Sequence, residues 1–159
     1  MQECTKIHLR RARDMARMTR IQAAPMLGIS ESTLKNWENP SHPSAPTLSD
    51  VSRMEDVYEA DGLWWRWARS NDDASRDRLP ELPVLDMKGA ILSTYAEIED
   101  LISLQQDLMR DGADGIINND VLLDKGIKEA GDLVASSYLL YCWLKRQKER
   151  RLRTWTERS

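Results

Sequence analysis

The pattern of apolar and polar positions from Thr19 to Asn39 predicts two short helices joined by a sharp turn. Apolar residues recur at helical spacing on both sides of the turn, at Ala23, Leu27, Ile29, Leu34 and Trp37. Thr19 and Ser30 each precede a predicted helix, where a hydroxyl accepts hydrogen bonds from free backbone N–H groups. Gly28 lies at the turn, because glycine adopts positive φ without a steric penalty. Both helices are therefore expected to pack on one core.

The second of these helices keeps a polar outer face. The residues on that face are Glu31, Ser32, Lys35 and Asn36. Two short helices with a glycine turn and a polar outer face on the second helix are typical of a helix-turn-helix motif. The second helix of such a motif lies in the major groove of DNA.

The stretch Leu9–Glu59 resembles the lambda-repressor-like, or XRE, family of DNA-binding domains. The resemblance rests on Thr19, Ala24, Leu27-Gly28-Ile29-Ser30, Ser32-Thr33-Leu34, Trp37-Glu38-Asn39 and Pro46-Thr47-Leu48. It implies a five-helix domain that reads base edges with Glu31, Ser32, Lys35 and Asn36 and holds phosphates with Arg17, Arg20 and Asn39.

Two residues depart from the pattern of that family. Arg20 stands where the family usually has a phosphate-contacting glutamine, and an arginine can make the same contact with more charge. Pro25 falls inside the first helix of the motif, where it removes a backbone hydrogen bond and should kink or shorten the helix.

The flanking sequence predicts three more helices around the motif. A basic helix is expected from about Cys4 to Met18, and a helix capped by Thr47 should run to Tyr58 after a proline-rich loop. A fifth helix begins at Leu63 with the sequence Leu-Trp-Trp-Arg-Trp. Its tryptophans do not share one helical face, which favours packing in a core and between domains over base stacking or a membrane edge.

Composition places a domain boundary in the middle of the chain. Residues 70–86 are rich in polar residues and proline, as in a linker, so residues 1–69 are assigned to the DNA-binding domain. Residues 87–150 predict two long amphipathic helices in an antiparallel hairpin, and 151–159 a basic tail. The fold class is therefore all-α: a five-helix domain followed by a helical hairpin.

The predicted hairpin has more apolar surface than two helices can bury against each other. We therefore expect a homodimer whose interface includes Ile98, Leu133 and Tyr141. Heptads sustained over several turns are not evident, which favours a four-helix arrangement over a parallel coiled coil. The hairpin also loosely resembles the helical C-terminal region of some phage regulatory proteins.

The net charge of −3 is unevenly distributed along the chain. Residues 1–20 carry six basic and two acidic residues, a net charge of +4, whereas 71–144 carry 15 acids and 6 bases, a net −9. Residues 145–159 return to +5, which suits either the C-terminal end of a helix or an auxiliary phosphate contact. DNA needs only a local basic surface, so the acidic middle is not expected to lie on nucleic acid.

The sequence argues against several other classes of protein. Cys4 and Cys142 are far apart and His8 and His42 are isolated, so neither a metal site nor a disulfide framework is predicted. Neither a phosphate-binding glycine loop nor a nucleophile with a base is evident, and we predict no enzyme activity and no cofactor. No membrane span or signal peptide is recognisable, and a cytoplasmic location is expected.

Two functions from different classes fit these features. The first is a sequence-specific transcriptional regulator, bacterial or encoded by a prophage or other mobile element, that binds double-stranded DNA as a dimer. The alternative is a protein-interaction adaptor that uses its acidic hairpin to bind a protein partner and does not bind DNA specifically.

Overall fold

A computed structural model describes the backbone of residues 2–113 and 115–156, with side chains for residues 6–113 and 115–152. Across these residues the chain forms eight helices and no strand, which confirms the all-α prediction. The helices are α1 (Gln2–Met15), α2 (Arg20–Leu27), α3 (Glu31–Glu38), α4 (Leu48–Tyr58), α5 (Leu63–Asn71), α6 (Asp73–Arg78), α7 (Met87–Asp111) and α8 (Asp120–Thr156).

The chain divides into two compact units, Met1–Leu79 and Pro80–Ser159. The segment 70–86, which composition assigned to a linker, is partly folded, because α5 extends to Asn71 and α6 lies within the segment. Asp72 explains the extra helix, since its carboxylate accepts a hydrogen bond from the Ser75 backbone N–H (2.7 Å) and so caps α6.

Helices α1 to α5 surround one hydrophobic core in the first unit. Its buried members are Leu9, Ala12, Ala23, Ala24, Leu27, Leu34, Trp37, Val51, Met54, Tyr58, Leu63 and Trp67. Trp64 packs against this cluster, and Trp65 is also buried. The three tryptophans of α5 are thus used for packing, as their spacing predicted.

The face of α1 that enters the core includes charged residues. Ile7 and Met15 are exposed, whereas Lys6 and Arg13 are buried beside the core residue Leu9. The Lys6 ammonium donates hydrogen bonds to the backbone carbonyls of His42 and of Ser44 (2.7 Å in the second case). Lys6 therefore fixes the proline-rich loop between α3 and α4 and is not available to DNA.

The second unit is the predicted antiparallel hairpin of α7 and α8. The Asp111 carboxylate at the end of α7 accepts hydrogen bonds from the backbone N–H groups of Asn118 (2.8 Å) and Asn119 (3.0 Å). The Asn119 side chain in turn accepts from Leu122 N and caps α8. α8 continues to Thr156, so residues 151–156 of the segment assigned to a basic tail extend this helix, and 157–159 lie outside the described residues.

Much of the apolar surface of the hairpin remains exposed. Tyr95, Ile102, Ile127 and Tyr141 each expose more than 60% of their surface. None of the helices in the described part of the chain combines the length and apolarity that a bilayer crossing requires.

The side chain of Tyr58 places a polar hydroxyl group inside the first unit. This oxygen is buried and has no hydrogen-bond partner among the described residues. Burial is the main cause that raises the pKa of Tyr58, and the neighbouring Glu38 carboxylate adds to it.

We predict that Tyr58→Phe stabilises the protein by about 1 kcal/mol, because it removes a buried polar group that lacks a partner. Urea unfolding followed by circular dichroism measures the change. Ser52→Ala is the control, since it removes an exposed hydroxyl group from the same helix and should change stability little. A clear loss of stability in Tyr58→Phe would show that the hydroxyl makes a stabilising interaction.

Candidate nucleic-acid interface

Local hydrogen bonds fix the start of α2 and the turn into α3. Thr19 Oγ1 accepts from Gln22 N (3.3 Å), and Gln22 Oε1 accepts from Thr19 N (2.9 Å), which completes a capping box. Gly28 has a φ of 69°, and the following Ile29 N–H bonds to the Ala24 carbonyl (3.0 Å). The predicted caps and the glycine turn are therefore confirmed.

Pro25 does not interrupt α2, which continues through it to Leu27. Pro25 is exposed, so the carbonyl of Ile21 that loses its helical partner lies on the outer side of a short helix. Arg53 of α4 supports the end of the same helix, because its guanidinium donates to the Leu27 carbonyl (2.7 Å). The sequence departure at Pro25 thus leaves the geometry of the motif intact.

The outer face of α3 carries the four residues predicted to face base edges. Glu31, Ser32 and Lys35 are exposed, and Asn36 is half-buried. The opposite face holds Leu34, Trp37 and Glu38, all buried. The helix is therefore anchored along one side and presents the polar side chains along the other.

Hydroxyl groups at the start of α3 are held in a fixed arrangement. Ser30 Oγ accepts from Thr33 N (3.0 Å) and lies 2.8 Å from both Thr33 Oγ1 and Ser32 Oγ. A hydroxyl can both donate and accept, so Ser32 keeps hydrogen-bonding capacity toward a ligand while its position is restrained.

A buried ion pair joins the end of α1 to the end of α3. Arg13 Nε lies 2.6 Å from Glu38 Oε1, and Arg13 Nη2 lies 3.0 Å from Glu38 Oε2, a bidentate geometry. Arg13 is 6% exposed and Glu38 3% exposed. The hydrogen bond to Glu38 is the largest of the effects that raise the pKa of Arg13. A third bond, from Arg13 Nη1 to the Met18 carbonyl (2.6 Å), reaches the segment before α2.

Arg20, the predicted phosphate contact at the start of α2, shares this carboxylate. Its Nε donates to Glu38 Oε2 at 2.7 Å, and its side chain remains 32% exposed. The bond occupies Nε, so the two terminal NH₂ groups still offer four N–H donors. Glu38 therefore orients the guanidinium of Arg20 at the protein surface.

Asn39 and Arg17, the other two predicted phosphate contacts, lie at helix ends. Asn39 Oδ1 accepts from Ser41 N (3.1 Å), which leaves the amide NH₂ of Asn39 as the group that donates outward. Arg17 is exposed and has a φ of 57°, in the left-handed region that follows many helices. The Met18 N–H bonds back to the Arg13 carbonyl (3.2 Å), so Arg17 ends α1 with its side chain in solvent.

Sequence reasoning assigned Arg13 to a basic surface and gave Glu38 no role of its own beyond the family pattern. Their spacing carried a signal, because positions 6, 9, 13 and 16 lie on one side of a helix and hold Lys6, Leu9, Arg13 and Ala16. A charged residue on a buried stripe requires a partner. The surface charge of α1 is correspondingly smaller than the count of basic residues suggests.

Residues 9–65 match the family described as helix-turn-helix. This part of the chain is a helix-turn-helix domain of the lambda-repressor-like type. Domains of this type occur in DNA-binding regulators. The match covers about a third of the chain, and no curated protein or solved structure matches the chain.

One carboxylate cluster lies in the hairpin, apart from this domain. Oxygen atoms of Glu97, Asp100 and Glu129 all lie within 4.8 Å of one another. Lys128 contacts Glu129 (3.3 Å) and Asp132 (2.9 Å), so a cation of the protein already neutralises part of the cluster. Burial is the main cause that raises the pKa of Glu97, and neighbouring carboxylates add to it. We assign no metal to this cluster.

We predict that Glu38→Ala destabilises the protein by about 3 kcal/mol, because it removes the bidentate partner of the buried Arg13 guanidinium, whose Nη1 alone keeps contacts with Asp14 and the Met18 carbonyl. Urea unfolding followed by tryptophan fluorescence measures the change. The control Glu31→Ala removes an exposed carboxylate of the same helix and should cost less than about 1 kcal/mol. Replacing both partners, as in Arg13→Met with Glu38→Met, should recover much of the loss. Equal stabilities of Glu38→Ala and Glu31→Ala would contradict the structural role.

Proposed function

We propose that the protein is a sequence-specific transcriptional regulator that binds the major groove of double-stranded DNA as a homodimer. The observation that carries this proposal is the exposed face of α3, where Glu31, Ser32 and Lys35 project opposite the buried face of the helix. Side chains of this kind recognise base edges by hydrogen bonding. The helix-turn-helix family match supports the same function.

The residues divide between reading bases and holding the DNA backbone. Asn36 lies one turn beyond Ser32, and an asparagine can bind adenine through two hydrogen bonds. Glu31 fits a position opposite cytosine, because its carboxylate accepts from the amino group and is repelled by phosphate elsewhere. Arg20, with Arg17 and Asn39, donates to phosphates.

The proposed setting is the cytoplasm of a bacterium, with the gene carried by the chromosome, a prophage or another mobile element. The resemblance to phage repressors and bacterial regulators supports it. The uneven distribution of charge supports the proposed function. The acidic hairpin would mediate association, and the basic residues of the helix-turn-helix domain would contact DNA.

The proposed homodimer rests on the exposed apolar residues of α7 and α8. Ile98 is 42% exposed and Tyr141 62% exposed, so both predicted interface residues lie at the hairpin surface. Leu133 is half-buried and follows Glu129 by four positions along the side of α8 that faces α7, so it contributes less to such an interface. A second copy of the hairpin would cover the exposed apolar residues.

Selection of bound duplexes from a random DNA pool tests the function directly. We expect enrichment of one two-fold symmetric sequence with half-sites about 34 Å apart or a multiple of it. Fluorescence anisotropy then compares the selected duplex with a scrambled one. Absence of binding to any duplex, even at low salt, would favour a protein-interaction adaptor.

We predict opposite effects for Arg20→Ala and Asn36→Ala on DNA binding. Arg20→Ala should weaken binding to every sequence and lower the slope of log affinity against log salt by about one unit. Asn36→Ala should cost about 1–3 kcal/mol on the selected site and little on random DNA. Anisotropy titrations at several salt concentrations measure both. A change in base preference from Arg20→Ala, with none from Asn36→Ala, would reverse the assigned roles.

We predict that Ile98→Asp converts the dimer into a monomer, because it places a charge in an apolar interface. The variant should keep its helical content and bind the selected operator much more weakly, since one half-site alone is then occupied. Light scattering and circular dichroism measure these properties. Lys125→Asp, on the side of α8 away from the exposed apolar residues, is the control. A monomeric parent protein at micromolar concentration would contradict the proposal.

A further inference from the structure

Each helix of the hairpin carries a second apolar stripe that is left exposed. On α7 the stripe is Ile91, Tyr95, Ile98, Ile102 and Met109. On α8 it is Leu123, Ile127, Val134, Tyr141 and Leu144. The members recur at steps of three, four or seven residues, the spacing of one helical face.

The stripe of α8 has a heptad pattern from Leu123 to Leu144. Ala130 and Ser137 lie between the exposed members. With them included, neighbouring members of the stripe are separated alternately by four and three residues across this range. The sequence-based expectation that no heptads are sustained is therefore wrong for α8. The heptad pattern is difficult to recognise in the sequence, because apolar residues of the neighbouring helix face interrupt it. Leu122 directly precedes Leu123, and Leu133 directly precedes Val134.

The two stripes lie on the same side of the hairpin. Carboxylate oxygens of Glu97 and Glu129 approach within 4.8 Å, so these two positions face each other between α7 and α8. In each helix the exposed stripe is offset by one residue from the positions that face the other helix. Ile98 comes directly after Glu97 in α7, and Ala130 comes directly after Glu129 in α8. One residue is a rotation of about 100°. Because the helices are antiparallel, the same step turns both stripes toward one side, where they form a single apolar face.

Charge is distributed oppositely at the two ends of α8. The end at the turn carries Asp120 and Asp124, and the far end carries Lys145 and Lys148, all exposed. The 37 residues of α8 exceed the 25 of α7 by 12, so α8 is longer by roughly 18 Å at 1.5 Å per residue. Residues 87–144 contain ten acids and four bases, a net −6, whereas 145–152 contain five bases and one acid, a net +4.

We propose that two hairpins pack these apolar faces together with their turns at opposite ends, so that α8 runs antiparallel to α8 of the partner. This inference rests on the proposed homodimer and specifies its geometry. In this register Ile127 lies opposite Leu144 of the partner subunit, and the small Ala130 lies opposite the large Tyr141 of the partner subunit. In the same register Ser137 lies opposite Val134 of the partner subunit, so each small residue of the stripe faces a larger one.

The same register brings opposite charges together at both ends. Asp124 lies beside Lys145 of the partner subunit, and Asp120 lies within one turn of Lys148 of the partner subunit. Two-fold symmetry repeats these contacts at the other end. Packing the same faces with both turns at one end would instead place the two basic segments side by side, where like charges repel. Charge therefore selects the arrangement with opposed turns.

Charge reversal at the two ends, followed by mixing, tests this geometry. The acidic variant is Lys145→Glu with Lys148→Glu, and the basic variant is Asp120→Lys with Asp124→Lys. Each alone should self-associate about tenfold or more weakly than the parent, because like charges then meet at both ends. An equimolar mixture should form a heterodimer of parental affinity, which also shows that both variants are folded. Sedimentation equilibrium with one variant fluorescently labelled measures these affinities.

The control Lys125→Glu reverses an exposed charge away from the stripe and should leave self-association unchanged. A parent protein that stays monomeric would overturn the homodimer and this geometry together. A dimeric parent whose acidic and basic variants dimerise as well as it does would overturn the geometry alone. An acidic variant that dimerises normally and loses only DNA affinity would place the basic segment on DNA and overturn the inference.

Discussion

The ion pair between Arg13 and Glu38 is the interaction on which the geometry of the DNA-binding domain depends. A buried carboxylate is costly to desolvate, and the bidentate contact with Arg13 and the further contact with Arg20 offset that cost. Because Arg13 belongs to α1, Arg20 to α2 and Glu38 to α3, one carboxylate links three helices. The orientation of the outer face of α3 relative to α2 follows from this linkage.

The same carboxylate would couple stability to the proposed phosphate contact of Arg20. Arg20 offers its terminal NH₂ groups at the surface while its Nε is held by Glu38 at 2.7 Å. A side chain that is already restrained loses less conformational entropy when it meets a phosphate. If Arg20 binds a phosphate as proposed, its affinity would depend partly on the contact with Glu38, which lies inside the protein.

Local sequence rules predicted the motif well because each determinant acts over a few residues. Thr19, Ser30 and Thr47 cap helices through side chains that reach only three positions ahead, and Gly28 turns the chain by its own backbone preference. The burial of Lys6 and Arg13 was missed because their partners lie 25 to 38 residues away in sequence. The short helix α6 was missed because capping residues and linker residues have the same polar composition.

The two units differ in how their charges are distributed. The first unit presents basic and polar groups around α2 and α3, whereas the hairpin combines an apolar face with acids at its turn and bases at its far end. An interface that buries the apolar face and matches these charges would hold two DNA-binding domains in one assembly. Two-fold symmetry of the protein would then require two-fold symmetry in the operator.

Nuclear magnetic resonance of the ¹⁵N-labelled protein, titrated with a duplex selected from a random pool, tests whether α3 recognises the bases. We expect the largest amide shifts at Glu31, Ser32, Lys35 and Asn36, with smaller shifts around Arg17, Arg20 and Asn39. A scrambled duplex should shift the amide signals around Arg17, Arg20 and Asn39. It should change the amide signals of the four α3 residues much less. Shifts confined to the hairpin, with α3 unaffected by the selected duplex, would contradict base recognition by α3.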